Sequence, residues 1–223
     1  MTARRSFLAR FGAAAAAFGV GSSFASAQPP APPAPAAARP EGRWQPAREP
    51  KDDWYDQIPG KHRLFFDSVS PDGAGASIHF ADNFFTGNKN GYGLDAPDVA
   101  VVICLRHRAT QFAFNDTIWA KYGAALSAAD KFVDPKTNQP PTLNLQRERL
   151  EPLIKRGLRL AVCNQSSRGY AGAIAMAMGL KQDDVFEEMK ANLLPNARLV
   201  PAGIVAINRA QERGFSLASV EHS

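Results

Sequence analysis

Cysteine is scarce in this chain: Cys104 and Cys163 are the only two in 223 residues. Two thiols do not make a disulfide framework, and a domain of this size has a core without one. No Cys-x-x-Cys pair occurs, so a thioredoxin-type centre is excluded. The Gly-x-Gly-x-x-Gly dinucleotide loop, the Ser-centred nucleophile elbow and the His-Glu-x-x-His zinc helix are all missing. A strong charge of one sign is missing too. The formal charge is +5, but no Asp or Glu precedes Gln28, and Arg4, Arg5 and Arg10 are three of the 26 basic residues. The remainder carries 23 basic against 21 acidic residues. That near balance demands no basic patch and argues against nucleic acid as a partner. Long apolar runs are lacking as well. The longest, from Phe11 to Val20, is rich in Ala and Gly and falls short of the roughly 20 strongly apolar residues of a spanning helix.

What is present begins with an export pattern in residues 1–27. Arg4 and Arg5 stand together before Ser6-Phe7-Leu8, a weakly apolar run follows, and Ala25-Ser26-Ala27 offers a small-x-small cleavage site. The paired arginines resemble the signal of the twin-arginine route. A periplasmic protein with no membrane attachment after cleavage is expected. No cysteine lies near the cut, so a lipid anchor there is excluded.

Residues 28–40 alternate Pro and Ala and read as an extended spacer. Residues 41–60 remain rich in charge and proline but contain Trp44, Trp54 and Tyr55. This second stretch reads as an arm lying on the domain or on a neighbouring subunit, or as a linker with incidental aromatics. Residues 28–60 thus form a linker and arm, and 61–223 one folded domain.

Within that domain, apolar and polar segments alternate. His62–Val69 reads as a strand, Ser70–Gly75 as a turn and Ala76–Lys89 as a helix. Pro97–Leu105 is a continuous aliphatic run, the signature of a strand buried on both faces of a parallel sheet. Helices are expected over Phe112–Tyr122, Leu143–Arg156, Ser166–Met178, Asp183–Asn192 and Gly203–Arg213. Further strands are expected over Leu158–Cys163, Ala197–Pro201 and Phe215–Val220. This order predicts an α/β fold: three layers, α/β/α, around a mostly parallel sheet of about five strands. In such sheets ligands gather beyond the carboxyl ends of the strands.

Cys163 lies at one of those ends, just before a helix. Backbone N–H groups and the positive helix terminus there favour a thiolate. Arg168, near the same corner, is expected to support it. Packing alone also explains a buried cysteine. Cys104 closes the aliphatic strand, with His107 three residues on. Residues three apart on a strand point to opposite faces, so no metal site is expected from them. A Cys104–Cys163 disulfide stays open if the two strands are neighbours. Asn115 and Trp119 open a helix near the strand ends; capping and packing are their first roles, and ligand contact is a weaker one that they share with Cys104 and His107. His79 is expected to be a partly buried, satisfied histidine.

The segment Cys163-Asn-Gln-Ser-Ser-Arg168-Gly169 resembles the cysteine loop of the DsrE-like (DsrE/DsrF) sulfur-relay proteins. Leu199-Val-Pro-Ala-Gly203, followed by Ile207–Phe215, resembles that family's closing strand, turn and helix. Arg106–Tyr122 resembles a segment of its exported members. The likeness spans most of residues 62–220. It implies a compact α/β domain that forms a homo-oligomer, a trimer or hexamer. It implies a persulfide-carrying role for Cys163 and a sulfur-carrying partner or small molecule, with no cofactor. Three readings follow: a periplasmic binding or sulfur-handling accessory, a thiol-dependent sulfur transferase, and a non-catalytic structural subunit.

Overall fold

The computed structural model describes residues 45–220. The export segment assigned to 1–27, the spacer and Trp44 lie outside the described residues.

Five strands form one parallel sheet: β1 (His62–Ser68), β2 (Val99–Leu105), β3 (Arg159–Cys163), β4 (Ala197–Val200) and β5 (Ser216–Val220). Their order across the sheet is β4-β3-β2-β1-β5. Between them run α1 (Pro71–Tyr92), α2 (Asp116–Ser127), α3 (Arg147–Lys155), α4 (Asn164–Met178), α5 (Gln182–Ala191) and α6 (Gly203–Glu212). The steps from β1 to β4 all go one way, so right-handed crossings put α1 to α5 on one face. The step from β4 back to β5 crosses the whole sheet, which sends α6 to the other. The three-layer α/β architecture follows.

The aliphatic run of β2 is the central plank, with all seven residues buried. Val99, Val101, Ile103 and Leu105 enter the larger core under α1 to α5. Ala100, Val102 and Cys104 enter the smaller core under α6. Continuous burial on alternating faces is the pattern that a two-sided parallel sheet imposes.

A single helix cannot cover five strands, and the arm completes that layer. Pro50–Tyr55 forms a 3₁₀ helix whose Trp54 and Tyr55 are buried, followed by buried Ile58. The Tyr55 ring lies edge-on to Phe215 at 5.7 Å, and its hydroxyl donates to the Ala206 carbonyl at 3.1 Å. Arg213, with no exposed side-chain surface, reaches Asp53 at 3.4 Å and Asp56 at 3.3 Å. The arm therefore packs as part of one unit that runs on from Gln45. Of the two sites expected for the arm, residues 50–58 take the domain itself.

Several helix boundaries differ from the sequence reading: α1 ends at Tyr92 and not Lys89, α2 runs on through Gly123 to Ser127, α3 starts at Arg147 and not Leu143, and the starts of α1 and α2 move for clear local reasons. Ser70-Pro71-Asp72-Gly73 is not a free turn but the start of α1. Ser70 caps it by accepting from the Gly73 N–H at 3.0 Å, and Pro71 sits in the first helical turn. A Cβ at Gly73 would lie 2.6 Å from the Val220 carbonyl oxygen, so glycine lets the helix start meet the end of β5. Residues His107–Ala113, expected to lead into and open a helix, form a 3₁₀ stretch, and α2 starts at Asp116.

Candidate functional site

The carboxyl ends of β1, β2 and β3 and the first turns of α4 and α6 meet in one corner. Cys163 is the last residue of β3 and the cap of α4. Its Sγ accepts from the Ser166 N–H at 3.5 Å, the place a serine or aspartate oxygen occupies in most caps. It is 5% exposed, on the sheet face under α6 beside its register partner Val200. Ser167 Oγ donates to the Cys163 carbonyl at 2.9 Å and ties the junction from the other side.

Across the corner, Arg106 holds Asp67 with two parallel bonds, Nε to Oδ1 at 2.7 Å and Nη2 to Oδ2 at 2.8 Å. Asp67 is buried at the end of β1, and this pairing raises the Arg106 guanidinium's pKa. Thiolate charge at Cys163 or Cys104 acts in the same direction. Gly203, first residue of α6, lies flat against the Arg106 stem, and a Cβ there would stand 2.5 Å from Arg106 Cβ. Cys104 is fully enclosed, and its thiol points to the Gly203 carbonyl at 3.8 Å. Burial pushes the Cys104 thiol well up, Asp67 and Cys163 add to that, and Arg106 opposes it.

The two cysteines share a face but not a register. β2 and β3 are neighbours, yet Cys104 pairs with Ala161 and Cys163 pairs with Val200. Both are free thiols, so the disulfide left open by the sequence is not formed.

His107 leaves the strand through a left-handed backbone, φ 52°, and is exposed. Its N–H donates to Ser166 Oγ at 2.9 Å, linking the end of β2 to the first turn of α4. A non-glycine residue in this region is strained, and such residues gather at functional sites. His107, Arg108, Ser166, Gly169, Tyr170 and Ala173 line a cleft of about 360 Å³. Tyr170 closes its wall by donating to the Arg108 carbonyl at 3.2 Å, and Arg108 pairs with Asp130 at 2.8 Å.

The remaining expected residues sit elsewhere. Arg168 is directed away from the thiol: it pairs with Asp183 at 3.4 Å and stacks over Phe186 at 4.1 Å. The helical turn between Cys163 and Arg168 carries that side chain to the α5 flank, and Arg106 is the cation on the thiol's side. Asn115 caps α2 by accepting from the Thr117 N–H at 3.1 Å and bonds to Asn192. Trp119 is fully buried and stacked on Phe112 at 5.8 Å. Neither lines the cleft. His79 is exposed, not partly buried, and its Nε2 lies 3.3 Å from Asn83 Nδ2. Among the described residues no three His, Cys, Asp or Glu side chains converge as a metal-binding group. None of the described helices is long and apolar enough to cross a membrane.

Sequence reasoning missed Asp67, Gly203 and Ser166. A signal existed for Asp67: an acid at the end of an otherwise apolar strand must find a cation. For Gly203 and Ser166 the signal was tertiary.

No family model matches the chain, and no curated protein matches it. Among solved structures it is similar to the protein of unknown function MTH1491 from Methanobacterium thermoautotrophicum. That likeness has 14% identity, covers 71% of this chain and 99% of the other, and has a TM-score of 0.42.

Proposed function

We propose that this is an exported, self-associating thiol protein of the DsrE-like kind, a sulfur-handling accessory whose working group is Cys163. The observation that carries the reading is the thiol's place as a helix cap. Sulfur at the end of β3 accepts a backbone N–H of α4, and Arg106 stands on the same side. In this role the Cys163 thiolate attacks the outer sulfur of a donor persulfide. A sulfur–sulfur bond forms at Cys163 as the donor's breaks, and the donor leaves as a thiolate that takes up a proton. The next acceptor thiolate reverses the step.

Thiol labelling of the native, reduced protein followed by peptide mapping tests this. Cys163 should label first and Cys104 only on unfolding, because burial holds Cys104 protonated. Faster labelling at Cys104, or none at Cys163, overturns the sulfur-carrying reading. A second reading, a binding or structural subunit, draws on the small exposure of Cys163, 5%. It expects both thiols to stay inert until unfolding.

Export is proposed from Arg4-Arg5 and Ala25-Ser26-Ala27. Replacing both arginines with lysine should leave the precursor in the cytoplasm. Undiminished export of that variant, followed by cell fractionation, rules out the twin-arginine route.

A further inference from the structure

Among the described arginines, Arg63, Arg149, Arg159 and Arg198 face no carboxylate; Arg63 is taken up by the Tyr55 and Ile58 carbonyls and Arg149 by Gln146 and the Gly75 carbonyl, which leaves Arg159 and Arg198, with Lys51 beside them. These three cations converge on the strip where the arm lies against β3 and β4. Two clefts flank that strip, one of about 250 Å³ and one of about 280 Å³, and both are walled by Trp54 and Arg198. The first, toward the carboxyl end of β4, adds Lys51 and Asn164. The second, toward the amino end, adds Gln57 and Arg159. Arg198 divides them, its guanidinium 5.9 Å above the Trp54 ring and only loosely tied to the Lys51 carbonyl at 3.5 Å. The buried indole N–H of Trp54 has no acceptor among the described residues. One carboxylate belongs to the lining, Asp52, and it faces Arg209 of α6 at 3.6 Å. The strip thus carries uncompensated positive charge over an aromatic wall.

We propose that this groove binds a small elongated anion with an acidic group at each end. Unpaired guanidinium groups bind phosphate and carboxylate oxygens in a fork, and the indole supplies an apolar wall between them. Four residues of strand span roughly 13 Å, so the two clefts suit anionic groups about 10 Å apart. The groove's cations come from the arm, β3 and β4 and none of them is in the corner described above, while the first cleft reaches Asn164 and Val200, the neighbours of Cys163.

Calorimetric titration of the purified chain tests this with octanedioate for a dicarboxylate, linear pentapolyphosphate for a polyphosphate, and octanoate as the one-ended control. Saturable binding of either two-ended probe is expected, and whichever binds assigns the acidic group. Arg198→Ala should weaken it about tenfold, the effect of losing one charge-assisted bond. Arg159→Ala should weaken the two-ended probe and leave octanoate unchanged. Arg149→Ala, on the opposite layer, should bind as the parent does. Absence of saturable binding of both two-ended probes, equal affinity for octanoate, or indifference to Arg198→Ala and Arg159→Ala each overturns the proposal.

Discussion

At position 203 a methyl group has nowhere to go. Alanine would place its Cβ 2.5 Å from Arg106 Cβ and 2.7 Å from Arg106 Cδ, and Arg106 is held by both oxygens of Asp67. The near end of a clamped side chain cannot swing aside as a free tip does. Gly203→Ala should therefore cost about 1–3 kcal/mol by overpacking, despite the helix propensity it gains. Urea unfolding measures this, and an unchanged midpoint would mean that Arg106 moves freely. Residue by residue, the corner was half legible. Cys163 announces itself as a thiol between strand and helix, because both elements have clear periodic signals. Arg168 was misplaced because nearness in sequence is not nearness in space on a helix: five residues along α4 its side chain meets α5 instead. Arg106 was visible after β2, but its partner lies on β1, and register is not readable from one chain.

Between elements, the clearest charged contact joins α2 to α5. Glu188 accepts from Lys121 Nζ at 2.8 and 2.7 Å and from the Tyr122 hydroxyl at 2.6 Å. The bond from Lys121, then that from Tyr122, lowers the Glu188 pKa, and burial partly opposes them. A depressed carboxylate contributes stability that is present above its unfolded pKa and lost as pH falls through its folded one. Melting temperature followed from about pH 6 to pH 3 should fall less steeply in Glu188→Gln than in the parent. Identical acid slopes would show the contact to be neutral. The elements themselves were largely legible. Each strand falls within a residue or two of its expected place, because aliphatic runs bounded by Gly, Pro and Asn leave little choice. The starts of α1, α2 and α3 were not. Ser70-Pro71 reads equally as a turn and as a cap, and only the packing of Gly73 on Val220 decides. Ahead of α2, the 3₁₀ stretch begins with the left-handed turn at His107, a backbone state uncommon for any non-glycine residue.

For the molecule as a whole, the arm is a structural member. Trp54, Tyr55 and Ile58 belong to the same core as Phe65, Cys104 and Ala206. Tyr55→Ala should cost about 3–5 kcal/mol, as large aromatic truncations do, while Tyr55→Phe should cost about 1 kcal/mol for the bond to Ala206. Equal small losses in chemical denaturation would mean the arm only rests on the surface. Its sequence hid this role, since proline and charge dominate the stretch and two aromatics carry the packing. The order β4-β3-β2-β1-β5 has a further effect, on timing. Leu64 must pair with Ser216, and Gly73 must meet Val220, so the first strand waits for the last. Contacts this distant along the chain are slow to close. A ribosome still making β5 holds a chain whose sheet lacks one edge, with β1 open on that side. The sheet is therefore complete only once β5 has left the ribosome, and until then the edge of β1 offers unpaired backbone groups to any strand that meets it.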